Sequence, residues 1–199
     1  MRMATGVIAA VLLSRGCWAS PQPLTVAVWD YAGLPDKILL PAVEFAERAF
    51  RTAGIEAVWT ICRAHYEDCA LPSDGRYLAM LVMPTMVQAP PGVSGDVAGL
   101  AMVGGPRAWA FYDVAAATAA KTGRPLPLVL GCILVHEIAH VLGLPHRETG
   151  IMQARLTTRE VDHATCGQIF DSLEARQLNA GASRLAASLD RTYVAAIGQ

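Results

Sequence analysis

The sequence predicts one α+β domain: a mixed, twisted sheet with a long N-terminal helix and a second, buried helix late in the chain. Three observations predict it. Residues 24–31 alternate apolar and polar positions around Val, Trp and Tyr, as a half-buried strand does. From Asp36 onward, Ile38, Leu39, Val43, Phe45, Ala46, Ala49 and Phe50 recur at helical spacing. Residues 128–142 are apolar on every side except at His136, Glu137 and His140, and a helix of that kind is buried. With 199 residues, the chain has enough for one core and too few for two comfortable ones.

The remaining elements follow in order. Gly33 and Pro35 break the first strand, and Gly54 stands where the long helix would stop. Residues 55–61 predict a second strand carrying Trp59, residues 62–75 a polar loop and residues 76–83 a third strand. Pro and Gly punctuate residues 84–105, with a short apolar strand at 97–103. Residues 107–114, with Trp109, Phe111 and Tyr112, predict a further strand close to the sheet edge, and residues 115–122 a helical turn. After the buried helix, residues 157–163 and 171–189 predict two more helices. Gly181 is a weak point inside the last, and Asp171 with Glu174 forms a capping-box pattern at its start.

Composition narrows the function. A hydrophobic fraction of 53% and a charged fraction of 17% describe a globular chain. A net charge of -1 without any basic block gives no support to nucleic-acid binding or to a polybasic membrane patch. Arg2, an apolar run over residues 3–13 and small residues up to Ala19 form the pattern of a secretory signal. The expected division is therefore a signal peptide at 1–19 and a folded domain at 20–199, exported to the periplasm or beyond. The apolar run is too short to span a bilayer, and Arg15 makes the residues before Cys17 a poor lipidation site. Export leaves Cys62, Cys69, Cys132 and Cys166, and four cysteines permit three pairings. The expected set closes Cys62 with Cys69 locally and joins Cys132 to Cys166; buried free thiols are the alternative.

The chemistry lies at residues 136–146, which read H-E-x-x-H-x-x-G-x-x-H. His136 and His140 stand one turn apart on one helix face and reach the same ion. Gly143 can adopt the left-handed conformation that ends a helix, so the chain turns back and brings His146 to the other two imidazoles. Three nitrogens with an open fourth position are how catalytic zinc is held. Glu137 is the candidate base, taking a proton from a zinc-activated water and returning it to the departing amine. Peptide-bond hydrolysis follows from these parts. Two other classes use the same residues: an exported binding or assembly module with a non-catalytic zinc, and a zinc hydrolase of a non-peptide amide.

This motif resembles the metzincin zinc peptidases, and the resemblance covers residues 136–152. It implies a zincin-like fold, one catalytic zinc and a peptide or protein substrate. It also implies a methionine turn after the third histidine, which falls on Met152 of Thr149-Gly150-Ile151-Met152. An antiparallel edge strand that pairs with the substrate is implied too, supplied by residues 97–103 or 107–114. The chain fits no familiar subfamily: His146 is followed by Arg147, only five residues separate it from Met152, and no tyrosine stands within two residues of Met152. Tyr112, Asp113, His65 and His163 receive no site role; the histidines lie in polar stretches without a spaced partner.

Overall fold

The structure, a computed structural model, describes residues 23–63, 69–72, 75–86, 97–165 and 169–197, with side chains to Asp190. The signal-like segment, Cys17, His65 and Cys166 lie outside the described residues. In chain order the elements are β1 (Leu24–Asp30), α1 (Asp36–Thr52), β2 (Ala57–Arg63), β3 (Leu78–Met83), β4 (Gly99–Ala101), β5 (Arg107–Phe111), α2 (Tyr112–Thr122), α3 (Leu126–Val141), α4 (Thr158–Thr165) and α5 (Ser172–Ile197). No helix among the described residues is long and apolar enough to cross a membrane.

The five strands form one sheet in the order β2-β1-β3-β5-β4. The first four are mutually parallel, and β4 alone runs antiparallel, against β5. The sheet is thus mixed, but mostly parallel. Residues in register share a face, so Val28, Met80, Ala108 and Ala101 form one cross-strand row and Asp30, Val82, Ala110 and Gly99 the next. In these rows Val28, Met80, Val82, Ala108 and Ala110 are buried in the core. Helices α1 and α3 pack on each other, and α3 also lies against β4 and β5. Close approach is built in: a Cβ on Gly131 of α3 would stand 3.0 Å from the Ala42 carbonyl of α1 and 2.8 Å from Phe45 Cδ1.

The turn from β1 into α1 is fixed by a buried acid. Asp30 accepts the Leu34 N–H at 2.9 Å and faces Arg63 Nη1 at 3.2 Å, while the same guanidinium donates to the Leu34 carbonyl at 2.6 Å and pairs with Asp36. At the far end of α1, Asn179 of α5 donates to the Ala53 carbonyl at 2.7 Å. The capping box read at Asp171 and Glu174 is formed: Glu174 N–H donates to Asp171 Oδ1 at 2.8 Å and Asp171 N–H to Glu174 Oε2 at 2.8 Å.

Two expectations need correction. The strand expected over 107–114 stops at Phe111, and Tyr112 opens α2, where Asp113 accepts from Thr85 Oγ1 and from the Val114 N–H. Residues 115–122 are therefore the body of an 11-residue helix rather than a turn. Strand β5 lies next to the edge, as expected, and of the two segments that could form the edge itself it is 97–103 that does so, as β4. Among the described residues Cys132 is a free thiol, fully buried on α3 and pushed up to about 12 by desolvation, while its expected partner Cys166 lies outside them. The place of Cys132 inside the apolar core gives the thiol a packing role. The local bridge Cys62–Cys69 is present.

Candidate metal centre

Helix α3 begins after Pro125, with a further proline in its first turn, where the missing N–H costs nothing. Its sequence is so apolar that it buries nearly every residue from Val129 to Val141, and with them His136 and Glu137, only 7% and 5% exposed. It ends as the glycine predicts. Gly143 takes φ 92°, its N–H donates to the His140 carbonyl at 2.9 Å, and the Leu144 N–H reaches back to the Ala139 carbonyl at 2.9 Å. This paired return is the Schellman arrangement, and it reverses the chain within two residues of His140.

The reversal brings the three predicted imidazoles together. His136 Nε2 lies 3.0 Å from His140 Nε2 and 3.3 Å from His146 Nε2, and one ligand atom from each histidine falls within 4.8 Å of the others. The opposite ring nitrogens are anchored to backbone. His136 Nδ1–H donates to the Ile151 carbonyl at 2.7 Å, and His140 Nδ1–H to the Leu144 carbonyl at 2.6 Å. A carbonyl only accepts, so Nδ1 carries the proton in both rings and Nε2 presents a lone pair. Burial also keeps these rings neutral, lowering His136 to about 4 and His140 below the ordinary histidine value. Converging lone pairs cannot hydrogen-bond to one another; they suit a shared cation. Ligand nitrogens at about 2.0–2.1 Å from a tetrahedral ion are about 3.3 Å apart, and the two spacings from His136, 3.0 and 3.3 Å, are close to that. The residues therefore fit a zinc ion, with His146, the exposed member, completing the set from the loop.

Met152, the predicted turn methionine, is fully buried. Its loop does two things for the site: the residue before it supplies the carbonyl that orients His136, and the Met152 carbonyl accepts the Arg147 N–H at 2.8 Å, closing the loop that carries His146. Arg147 Nε lies 3.7 Å from Glu174, so the same loop leans on the start of α5. Glu137 is closed off from open solvent. It is enclosed beside Gly99 of β4, and burial pushes its carboxyl up to about 8.

The other polar candidates stay apart. His163 is exposed and lines a cavity of about 410 Å³ with Thr149, Arg159, Glu160 and Asp171. Among the described residues, His136, His140 and His146 form the only cluster of three or more His, Cys, Asp or Glu residues placed to share a metal. Sequence reasoning did not single out Gly99 or the carbonyls of Leu144 and Ile151. A glycine inside the short apolar run at 97–103 was the available signal, since such a residue often marks close approach by another group; the carbonyls leave no signal in side-chain identity.

Comparison with known structures decides what kind of scaffold this is. An archaemetzincin from Methanopyrus kandleri superposes with a TM-score of 0.54 at 18% identity, over 80% of this chain and 95% of the other. The chain has the archaemetzincin fold. A zinc-dependent peptidase from Methanocorpusculum labreanum gives 0.52 at 16% identity, over 78% of this chain and all of the other. No protein-family model and no curated protein matches the sequence. The archaemetzincin fold therefore accounts for four-fifths of the chain while the sequence has diverged far from both relatives, so the site must be argued from its own residues.

Proposed function

We propose that the protein is a zinc-dependent endopeptidase, with His136, His140 and His146 as metal ligands and Glu137 as proton carrier. The observation that carries this reading is the convergence of three backbone-anchored or loop-held imidazoles on one point, immediately beside a glutamate, in the archaemetzincin fold. Zinc bound there supplies a Lewis acid for the scissile carbonyl and lowers the pKa of a coordinated water toward about 7. Glu137 accepts the proton of the attacking water and returns it to the leaving amine. To do so it must be ionised, and the positive charge that the neighbouring ligands are arranged to hold favours that form over the burial that opposes it. Leu144 and Ile151 hold the imidazoles of His140 and His136 in the required tautomer throughout.

The substrate is an extended peptide paired with β4. Among the described residues that strand ends the sheet, runs antiparallel to β5 and packs on α3, so a chain added along its outer edge passes over the helix that carries the proposed ligands. Export belongs to the same reading. It is supported by the Arg2 and apolar pattern of residues 1–19 and by the Cys62–Cys69 bridge, a bond that persists in oxidising compartments.

Hydrolysis of a mixed peptide library tests the proposal. Cleavage is expected with the zinc-loaded chain, its loss after chelation and its return on adding one equivalent of zinc. Zinc binding without any peptide cleavage would contradict the peptidase reading and favour a binding module; cleavage that survives complete chelation would contradict the metal's role.

A further inference from the structure

Strand β4 carries no side chain where it meets the glutamate. A Cβ built on Gly99 would stand 2.5 Å from Glu137 Cγ, 2.6 Å from Glu137 Oε1 and 2.6 Å from the Trp109 carbonyl oxygen. No real Cβ tolerates such distances. The backbone of Gly99 needs no left-handed conformation, so the glycine is not there for the turn it makes. The register explains its position. Gly99 pairs with Ala110, whose side chain is buried on the helix-facing side of the sheet, and the next pair on that side joins Ala101 to Ala108. Four consecutive helix-facing positions on β4 and β5 are thus Gly or Ala, which lets α3 settle closely on this edge. At Gly99 the space opened is taken by Glu137.

We infer that Gly99 is a positioning residue: by leaving room on the edge strand for the methylene and one carboxylate oxygen of Glu137, it sets where that carboxylate sits relative to the three imidazoles. Two walls define the seat, the α3 backbone that carries Glu137 and the bare β4 backbone. Closing one wall by a single methyl group forces the carboxylate out of its seat or lifts β4 off the helix. Because β4 is also the strand proposed to hold the substrate, the same glycine fixes the distance between the proton carrier and the bound peptide. This last consequence rests on the peptidase reading; the packing relation does not.

The test is a double-mutant cycle on the full chain, with melting temperature as one readout and zinc content and steady-state kinetics as the others. Gly99→Ala alone is expected to lower the melting temperature by about 5 °C or more. In a Glu137→Ala background, which empties the contested space, the same change is expected to cost less than half as much. The remainder belongs to the Trp109 carbonyl. Gly99→Ala is also expected to keep its zinc and to lose at least about tenfold in kcat with a smaller change in KM, as misplacement of a catalytic group does. An equal loss of melting temperature in both backgrounds would overturn the inference, because Gly99 would then serve strand packing only. Failure to fold in both backgrounds would overturn it likewise, whereas folding restored by Glu137→Ala would support it. An unchanged kcat in Gly99→Ala would overturn the positioning role. If peptide cleavage is absent even from the unaltered chain, the peptidase reading fails, and the cycle still decides whether Gly99 makes room for Glu137.

Discussion

Glu137→Gln is expected to lower kcat for peptide cleavage by a factor on the order of 10²–10⁴, the usual contribution of a positioned acid–base group, with zinc content unchanged. The amide has the same shape as the carboxyl group and fits the same seat against Gly99, but it has no basic oxygen to take the proton of the attacking water. On the proposed reading the side chain is not a metal ligand, so the three imidazoles and their backbone anchors are untouched. Burial already raises the carboxyl to about 8, which means that the enclosed site resists a charge there; a neutral amide relieves that cost. The variant should therefore melt no lower than the parent. Full activity in Glu137→Gln would remove the residue from the mechanism, and loss of zinc together with activity would make its role structural.

The largest effect on stability is expected at Gly181. On an exposed helix a change from glycine to alanine stabilises by about 1 kcal/mol, because the helix gains propensity. Here the sign reverses. A Cβ on Gly181 would stand 1.8 Å from the Leu142 carbonyl oxygen and 2.7 Å from its carbonyl carbon, both backbone atoms that cannot swing aside. Helix α5 therefore touches the end of α3 with bare backbone, and inserting a methyl group must push the helices apart. The expected cost for Gly181→Ala is about 3 kcal/mol or more, at or above the upper end of overpacking penalties. In a chain of this size that is about 6–12 °C in melting temperature. Leu142 caps α3, and Gly143 and Leu144 follow it, so the turn that orients His140 and delivers His146 moves with it. Weaker zinc binding should accompany the loss of stability. A variant as stable as the parent would show that the two helices do not meet in this way.

These two residues also mark what the sequence discloses and what it conceals. The proposed ligand set is legible because its spacing is local: four residues along one helix, then a glycine turn, place His136, His140 and His146 near one another, and more distant packing only steadies that arrangement. The capping box at Asp171 and Glu174 is legible for the same reason. Helix α1 reads easily because its apolar stripe repeats over 17 residues. Long-range features behave differently. Gly181 looks like a weakness in a helix until Leu142 lies against it, and Gly99 looks like a break in a strand until Glu137 occupies the space. Strand order is hidden as well. The aromatic run at 107–111 reads as a strand close to the edge, but side-chain pattern does not decide between it and 97–103 for the edge itself, a place taken by the three-residue β4 with little pattern of its own.

The most direct test of the metal centre is an anomalous difference map collected at the zinc absorption edge from crystals of the zinc-loaded chain. One ion is expected, at about 2.0–2.1 Å from Nε2 of His136, His140 and His146, with a fourth position open and the Glu137 carboxylate outside the ligand set. An ion held elsewhere, or one whose fourth position is closed by a protein side chain, would contradict a catalytic zinc at this site.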